Sequence, residues 1–360
     1  MSTTKRAAAI ILSIVLGGCG TSIAPSPSPA ATAVTTAVPV TDAPPTAPPT
    51  PAASPGDPRI ADLDGVLTSP ELAHRLPLVV SIDDASVARP QSGFNAASIV
   101  WQAPADGFET RYLMVFQEGD ASAIGPVRSA RNYLALWTAE LDAAFGHYGG
   151  DLLSRTWMTA NRGVLFTDVD GLGAGNSAYH RISSRDAPHN AYTNTTDLRN
   201  TATRLGADPL ISPAVHLRPF RDDLPAASRG TKQALSVPYN TVKIRYEYEP
   251  ATNAYRRLVN GVVQTDQMDR QRVTARTVVV LFMPFRTDST IEKGHNRPVL
   301  GFIGAGDAWV YSEGTLVKGS WSKPTSTDPT VILGPDGTEL PFVRGRIFMQ
   351  VVPLGTKIGA

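Results

Sequence analysis

The sequence predicts an α+β protein: a mixed α/β N-terminal domain packed on a mostly antiparallel β C-terminal domain. Three observations carry this. Up to about residue 230, short strand patterns alternate with a helical one. Beyond it, the reading is mostly strands joined by tight-turn signals. The chain is 42% hydrophobic and only 18% charged, which implies a substantial core for the roughly 300 residues that follow a proline-rich stretch.

Residues 1–19 have the architecture of a bacterial lipoprotein signal peptide. Lys5-Arg6 forms a basic start, Ala7 to Leu16 an apolar run, and Leu16-Gly17-Gly18-Cys19 the processing site. The run is too short to span a bilayer, which takes about 20 residues. Cys19 is the only cysteine, so lipidation of its sulfur is the use the spacing points to, and the rest of the fold relies on packing rather than disulfides. Residues 20–58 are almost entirely Pro, Ala, Thr and Ser, too poor in large apolar groups to fold, and read as a semi-rigid tether. The address is therefore extracytoplasmic, on a lipid anchor in the cell membrane.

An N-terminal domain is expected over 59–229. Asn95–Ala103 and Thr110–Gln117 read as strands, being rich in β-branched and aromatic residues. The spacing of Tyr133, Leu134, Trp137, Leu141, Ala144 and Phe145 predicts one helix over Ala130–Phe145. A second helix is expected over Thr196–Leu205, stopped by Gly206. The chain changes character near Ser228–Thr231, and a C-terminal domain follows over 230–360. There Val242–Tyr248 alternates strictly, Val278–Phe285 is continuously apolar, and Asn260-Gly261, Glu313-Gly314 and Asp336-Gly337 mark turns.

Lys and Arg total 33 against 32 Asp and Glu, so no global positive field argues for nucleic acid. Chemistry concentrates in two places. Ile124–Arg131 carries Arg128 and Arg131 just ahead of the expected helix, with Ser129 placed as its N-cap. Two arginines oppose the helix dipole there, which favours an anion-binding role. The competing account pairs them with Asp83, Asp84, Asp106 or Glu109. The second place is His180–Asn190, with Arg181, Arg185, His189 and Asn190. His189 can serve as an acid–base group or anion donor, or simply pin its loop. No metal site is read from these histidines. Gly171–Gly175 and Gly301–Gly306 lack the spacing of a phosphate loop, and Trp101, Trp137 and Trp157 read as core.

Several stretches together resemble the YerB-like lipoproteins, the DUF3048 family. They are Ala88–Val100, Thr110–Phe116, Ile124–Arg131, His147–Gly150 and Ala187–Thr193, then Gly314, Gly319–Lys323 and Val351–Pro353. The resemblance covers about 63–355 and implies two family domains in a membrane-anchored envelope protein, with no activity attached. Where that family more often has Asp-Asn after the first strand, this chain has Asp83-Asp84.

Two functions follow as the leading expectations, with a hydrolase using His189 as a third. One is an envelope protein that binds an anionic cell-wall component or a partner protein, without a cofactor, through Arg89, Arg111, Arg128, Ser129, Arg131, Arg181, Arg185, His189 and Asn190. The other is a phosphotransferase acting on a lipid-linked glycan precursor, loosely like the LytR-CpsA-Psr ligases, with Asp83 or Asp84 on Mg2+. Whether the protein is an enzyme is left open by the residues. Membrane contact is expected through the N-terminal lipid, and nucleic acid is not expected as a partner. An enzyme would gather the arginines and aspartates in one pocket; a binding protein would spread them over a groove or into separate ion pairs.

Overall fold

The structure, a computed structural model, describes residues 57–232 and 234–360. The signal segment, the lipid site at Cys19 and the tether up to residue 56 lie outside the described residues.

A one-turn helix α1 (Pro70–Ala73) precedes β1 (Leu78–Asp83), β2 (Ile99–Pro104) and β3 (Thr110–Phe116). Then come α2 (Asn132–Ala139), β4 (Ala144–His147), α3 (Leu152–Asn161), β5 (Thr167–Asp170) and α4 (Thr195–Arg204). Three strands of a second sheet follow: β6 (Ala234–Pro238), β7 (Lys243–Glu249) and β8 (Ala254–Val259). The chain closes with β9 (Thr277–Met283), β10 (Gly304–Ser312), β11 (Thr315–Lys323), β12 (Val331–Leu333) and β13 (Ile347–Pro353). A hairpin arm, Phe285–Glu292 with His295–Leu300, projects between β9 and β10.

The central sheet has ten strands in the order β12-β11-β10-β9-β13-β2-β3-β1-β4-β5. It is continuous across residue 230. Its two halves meet where β2 runs parallel to β13, with Ile99 beside Ile347 and Gln102 beside Gln350. Every residue of β1, β2, β3 and β9 is buried, as expected of strands covered on both faces. One face carries α2 and α3: Leu134, Trp137 and Met158 pack with Val79, Trp101, Leu113 and Phe145. Trp101 and Trp137 stack there with ring centroids 4.3 Å apart. The other face carries α4 and the second sheet, where Leu198, Ala202, Leu235 and Tyr246 join Val80, Tyr112, Val280 and Phe348. The architecture is thus α+β, with a mostly β C-terminal region.

Local rules explain most elements. In β7, Ile244, Tyr246 and Tyr248 are buried while Lys243 is exposed, so the sequence alternation maps onto two faces. Asn260 (φ 51°) with Gly261 (φ 83°) and Glu313 (φ 49°) with Gly314 (φ 67°) form the tight hairpin turns. Asn194 caps α4, accepting from Asp197 N at 2.8 Å. Asn194→Ala is therefore expected to cost about 1 kcal/mol. A shifted urea midpoint with an unchanged slope would register it; no shift would show that the cap is not needed.

The long helix expected over Ala130–Phe145 is a correction. Only Asn132–Ala139 is helical; the backbone turns at Asp142 (φ 45°), and Ala144–His147 is a strand. A short strand buried on both faces is apolar at every step, so it also satisfies a helical spacing. Ser129 is not the cap either. Arg131 holds that position, without a side-chain cap bond, and residues 128–130 are extended.

Between the central and second sheets one guanidinium is wholly enclosed. Arg257 donates from Nε to Tyr246 Oη at 3.0 Å, from Nη2 to Gln102 Oε1 at 2.6 Å and to Tyr112 Oη at 3.0 Å. Its Nη1 donates to Gln264 Oε1. It also lies over the rings of Tyr112 and Phe348, 5.3 and 5.4 Å from their centroids.

Candidate functional site

The parallel strands β1 and β4 pair from Leu78 to Val80 and from Ala144 to Gly146, then part. The extended segment 127–130 enters the fork. Arg128 N donates to Ser81 O at 2.8 Å, Tyr148 N to Arg128 O at 3.0 Å, and Ala130 N to Gly149 O at 2.8 Å. Gly149 adopts φ +71°, which an L side chain would resist, and its carbonyl accepts from His147 Nδ1 at 2.8 Å. The segment thus fills the fork and sets Arg128 at the carboxyl ends of β1 and β4.

Asp83 closes β1 at this fork, its side chain 2% exposed. Its Oδ1 accepts from Ala85 N at 3.1 Å. Its Oδ2 lies 2.6 Å from His189 Nδ1 and 3.4 Å from Arg128 Nε. The side chains of His189 and Arg128 are 24% and 28% exposed. A carboxylate at Nδ1 fixes the neutral imidazole with its proton there and leaves Nε2 as the free acceptor. His189 Nε2 has no partner among the described residues, and the Arg128 guanidinium makes no hydrogen bond there.

Arg111 lies on β3 directly across from Asp83. It is buried, donates from Nη1 to Ser129 O at 2.8 Å, and leaves Nε enclosed without a partner. Burial, and then the charge of Arg131, pull its pKa down to about 10. Nearby Glu109 is pushed up by burial and by the charge of Asp83, against the pull of Arg111 and Arg128.

The remaining arginines are engaged with neighbours. Arg131 donates from Nε to Asp106 at 2.7 Å and lies 3.4 Å from Asp151. Arg297, from the hairpin arm, reaches the same Asp106 at 2.9 Å. Burial works against the Asp106 charge, yet Arg131 and Arg297 hold its carboxyl below the usual range. Arg89 donates to Asp84 Oδ1 at 2.9 Å and to Asp84 O at 2.7 Å. Asp84 further accepts from Gln91 at 3.1 Å, from Gln102 at 2.9 Å and from Thr110. The two adjacent aspartates thus serve separate networks. Arg185 donates to Ala88 O and, at 2.7 Å, to Pro90 O, tying two loops together. Arg181 donates to Asn190 Oδ1 at 2.5 Å and sits 4.7 Å over the Tyr148 ring, while Asn190 donates to Ile182 O at 3.2 Å.

Of the residues singled out from sequence, the fold therefore brings Asp83, Arg128 and His189 together, with Arg111 and Ser129 beside them. Arg89, Arg131, Arg181, Arg185 and Asn190 are spent on internal contacts. Two groups had no sequence signal as site residues. His147 is buried 2.8 Å from Asp168, and Glu109 was legible only as a salt-bridge partner. Among the described residues no three or more His, Cys, Asp or Glu side chains gather as a metal would require, and no helix is long and apolar enough to cross a membrane.

Comparison with known proteins agrees with this architecture. The family described as protein of unknown function (DUF3048) matches with its N-terminal domain over residues 63–208 and its C-terminal domain over 235–349. The chain is 25% identical over 300 residues to the putative lipoprotein YerB of Bacillus subtilis (strain 168), covering 81% of this chain and 86% of that protein. A crystal structure of the YerB protein from Bacillus subtilis superposes with a TM-score of 0.72 at 25% identity, covering 84% of this chain and 99% of that one.

Proposed function

Since the chain belongs to the DUF3048 family, whose matched relative is described as a putative lipoprotein, we propose that it is a lipid-anchored envelope protein that binds an anionic group at the β1–β4 fork. The anchor is Cys19, a reading supported by Leu16–Cys19 and by the description of the relative as a putative lipoprotein. Its tether gives the folded part reach above the membrane, so wall polymers, lipid-linked precursors and envelope proteins are the partners within range.

The observation that carries the binding reading is the shared carboxylate of Asp83. It holds His189 at 2.6 Å and Arg128 at 3.4 Å while both remain partly open to solvent. A single buried acceptor thus brings an imidazole and a guanidinium to one place, and the planar guanidinium suits the paired oxygens of phosphate or carboxylate. The enclosed Arg111 adds positive charge that no carboxylate of the described residues pairs with directly. Burying such a charge is costly unless something compensates it, and a bound anion would.

Titration of the full chain with inorganic phosphate tests this. Arg128→Ala is expected to weaken binding about tenfold, equivalent to about 1.4 kcal/mol. Arg204→Ala, on the exposed end of α4, should leave it unchanged. Absence of phosphate binding by the unsubstituted protein would remove the reading.

A further inference from the structure

We propose that this fork is a proton-transfer site that cleaves or transfers a phosphodiester, with His189 as the base and Arg128 as the phosphate clamp; the proposal rests on the anion-binding reading above.

The contrast between two histidines, His147 at the end of β4 and His189 in a turn beside the end of β1, leads to it. His147 is a structural histidine with both ring nitrogens consumed: Nδ1 meets Gly149 O at 2.8 Å and Nε2 meets Asp168 at 2.8 Å. His189 has the same kind of carboxylate partner, Asp83 at 2.6 Å, but its second nitrogen is left without one. A histidine that merely pins a loop gains nothing from an open Nε2. A base needs that arrangement: one nitrogen fixed by a buried carboxylate, the other free to take a proton. Asp83 is then a positioning residue that also stabilises the imidazolium once it forms.

The clamp suits the substrate class. Asp83 faces Arg128, while Asp106 and Asp151 face Arg131, and Arg111 is a further buried guanidinium without an ion pair. A phosphodiester carries its negative charge over two non-bridging oxygens, which the open end of the Arg128 guanidinium can span.

The step balances without an oxidant or reductant. The oxygen of water, or of an acceptor hydroxyl, forms a bond to phosphorus and passes its proton to His189 Nε2. The ester P–O bond breaks, and the leaving oxygen takes a proton from solvent. The proton on His189 is then released to solvent, which restores the site. Arg128 stabilises the charge on the phosphoryl oxygens throughout.

The experiment measures hydrolysis of bis(p-nitrophenyl) phosphate by the full chain beside its binding of inorganic phosphate. His189→Gln, which lacks a basic nitrogen, is expected to keep phosphate binding within a few-fold. Its hydrolysis rate should fall by roughly 10²–10⁴-fold. Arg128→Ala should weaken binding about tenfold and slow hydrolysis as well. If the unsubstituted chain hydrolyses the ester no faster than His189→Gln while phosphate still binds, the activity is refuted and the binding reading stands. If phosphate does not bind at all, both are refuted.

Discussion

Arg257→Ala is expected to destabilise the protein by about 3–5 kcal/mol, the scale of truncating a large buried side chain and leaving buried acceptors without a donor. Arg257 sits between the two sheets, and its partners come from both. Its loss would leave Gln102 Oε1 and Gln264 Oε1 without their donor, and would open a cavity beside Tyr112, Tyr246 and Phe348. Arg257→Lys should fall between, because an ammonium keeps the charge but cannot serve three directions with a planar fork. Urea titration reads the result as a shifted midpoint at constant slope. A midpoint for the alanine variant no lower than that of a surface substitution would show that the layers are held by apolar packing alone. The network also bears on the site, since Gln102 donates to Asp84, which adjoins Asp83.

Stability is expected to fall as pH rises from about 4 to about 8, and Asp64 is the reason. Its residue is 3% exposed. Burial, and then the charge of Glu118, push its carboxyl up to about 8, against the pull of Val66 N–H and Arg346. In the unfolded chain an aspartate titrates near 3.8. Between those values the folded state holds a proton that the unfolded state has released. Raising pH therefore favours unfolding, with a limiting slope of about 1.4 kcal/mol per pH unit for one group. The contribution is fully present below the unfolded value and lost through the folded one. Asp64→Asn should flatten this part of the profile and so exceed the unsubstituted protein in stability at the alkaline end. Parallel profiles for the two proteins would show that Asp64 is ionised in the fold and that its burial is compensated.

How much could be read in advance depended on range. Hairpins at Asn260-Gly261 and Glu313-Gly314, the alternating strand over Val242–Tyr248 and the α4 helix were all legible, because each is decided by neighbours in the chain. The end of α2 was not. Ala144 and Phe145 continue the helical spacing but belong to a strand between β1 and β5, a fact set by pairing across the sheet. The site divides in the same way. Arg128 and His189 stood out as residue types in dense polar motifs. That they share one oxygen of Asp83 depends on residues far apart in the chain. No spacing rule could have shown that Arg131 belongs to Asp106 and Arg89 to Asp84, since competing carboxylates lay equally near in the sequence.

The seam between β2 and β13 has a consequence for how the molecule comes into being. Ile99 waits for Ile347 as a neighbour, so a chain emerging from its amino end exposes the backbone edge of β2 until almost all of it is out. Nearly complete synthesis is required before the central sheet can close. During that interval β2 is an apolar, unpaired strand edge of the kind that sticks to other chains. A holding factor that shields this edge would act only on newborn molecules. A lesion near the carboxyl terminus, far from β2 in the chain, would be felt as failure of the central sheet to close.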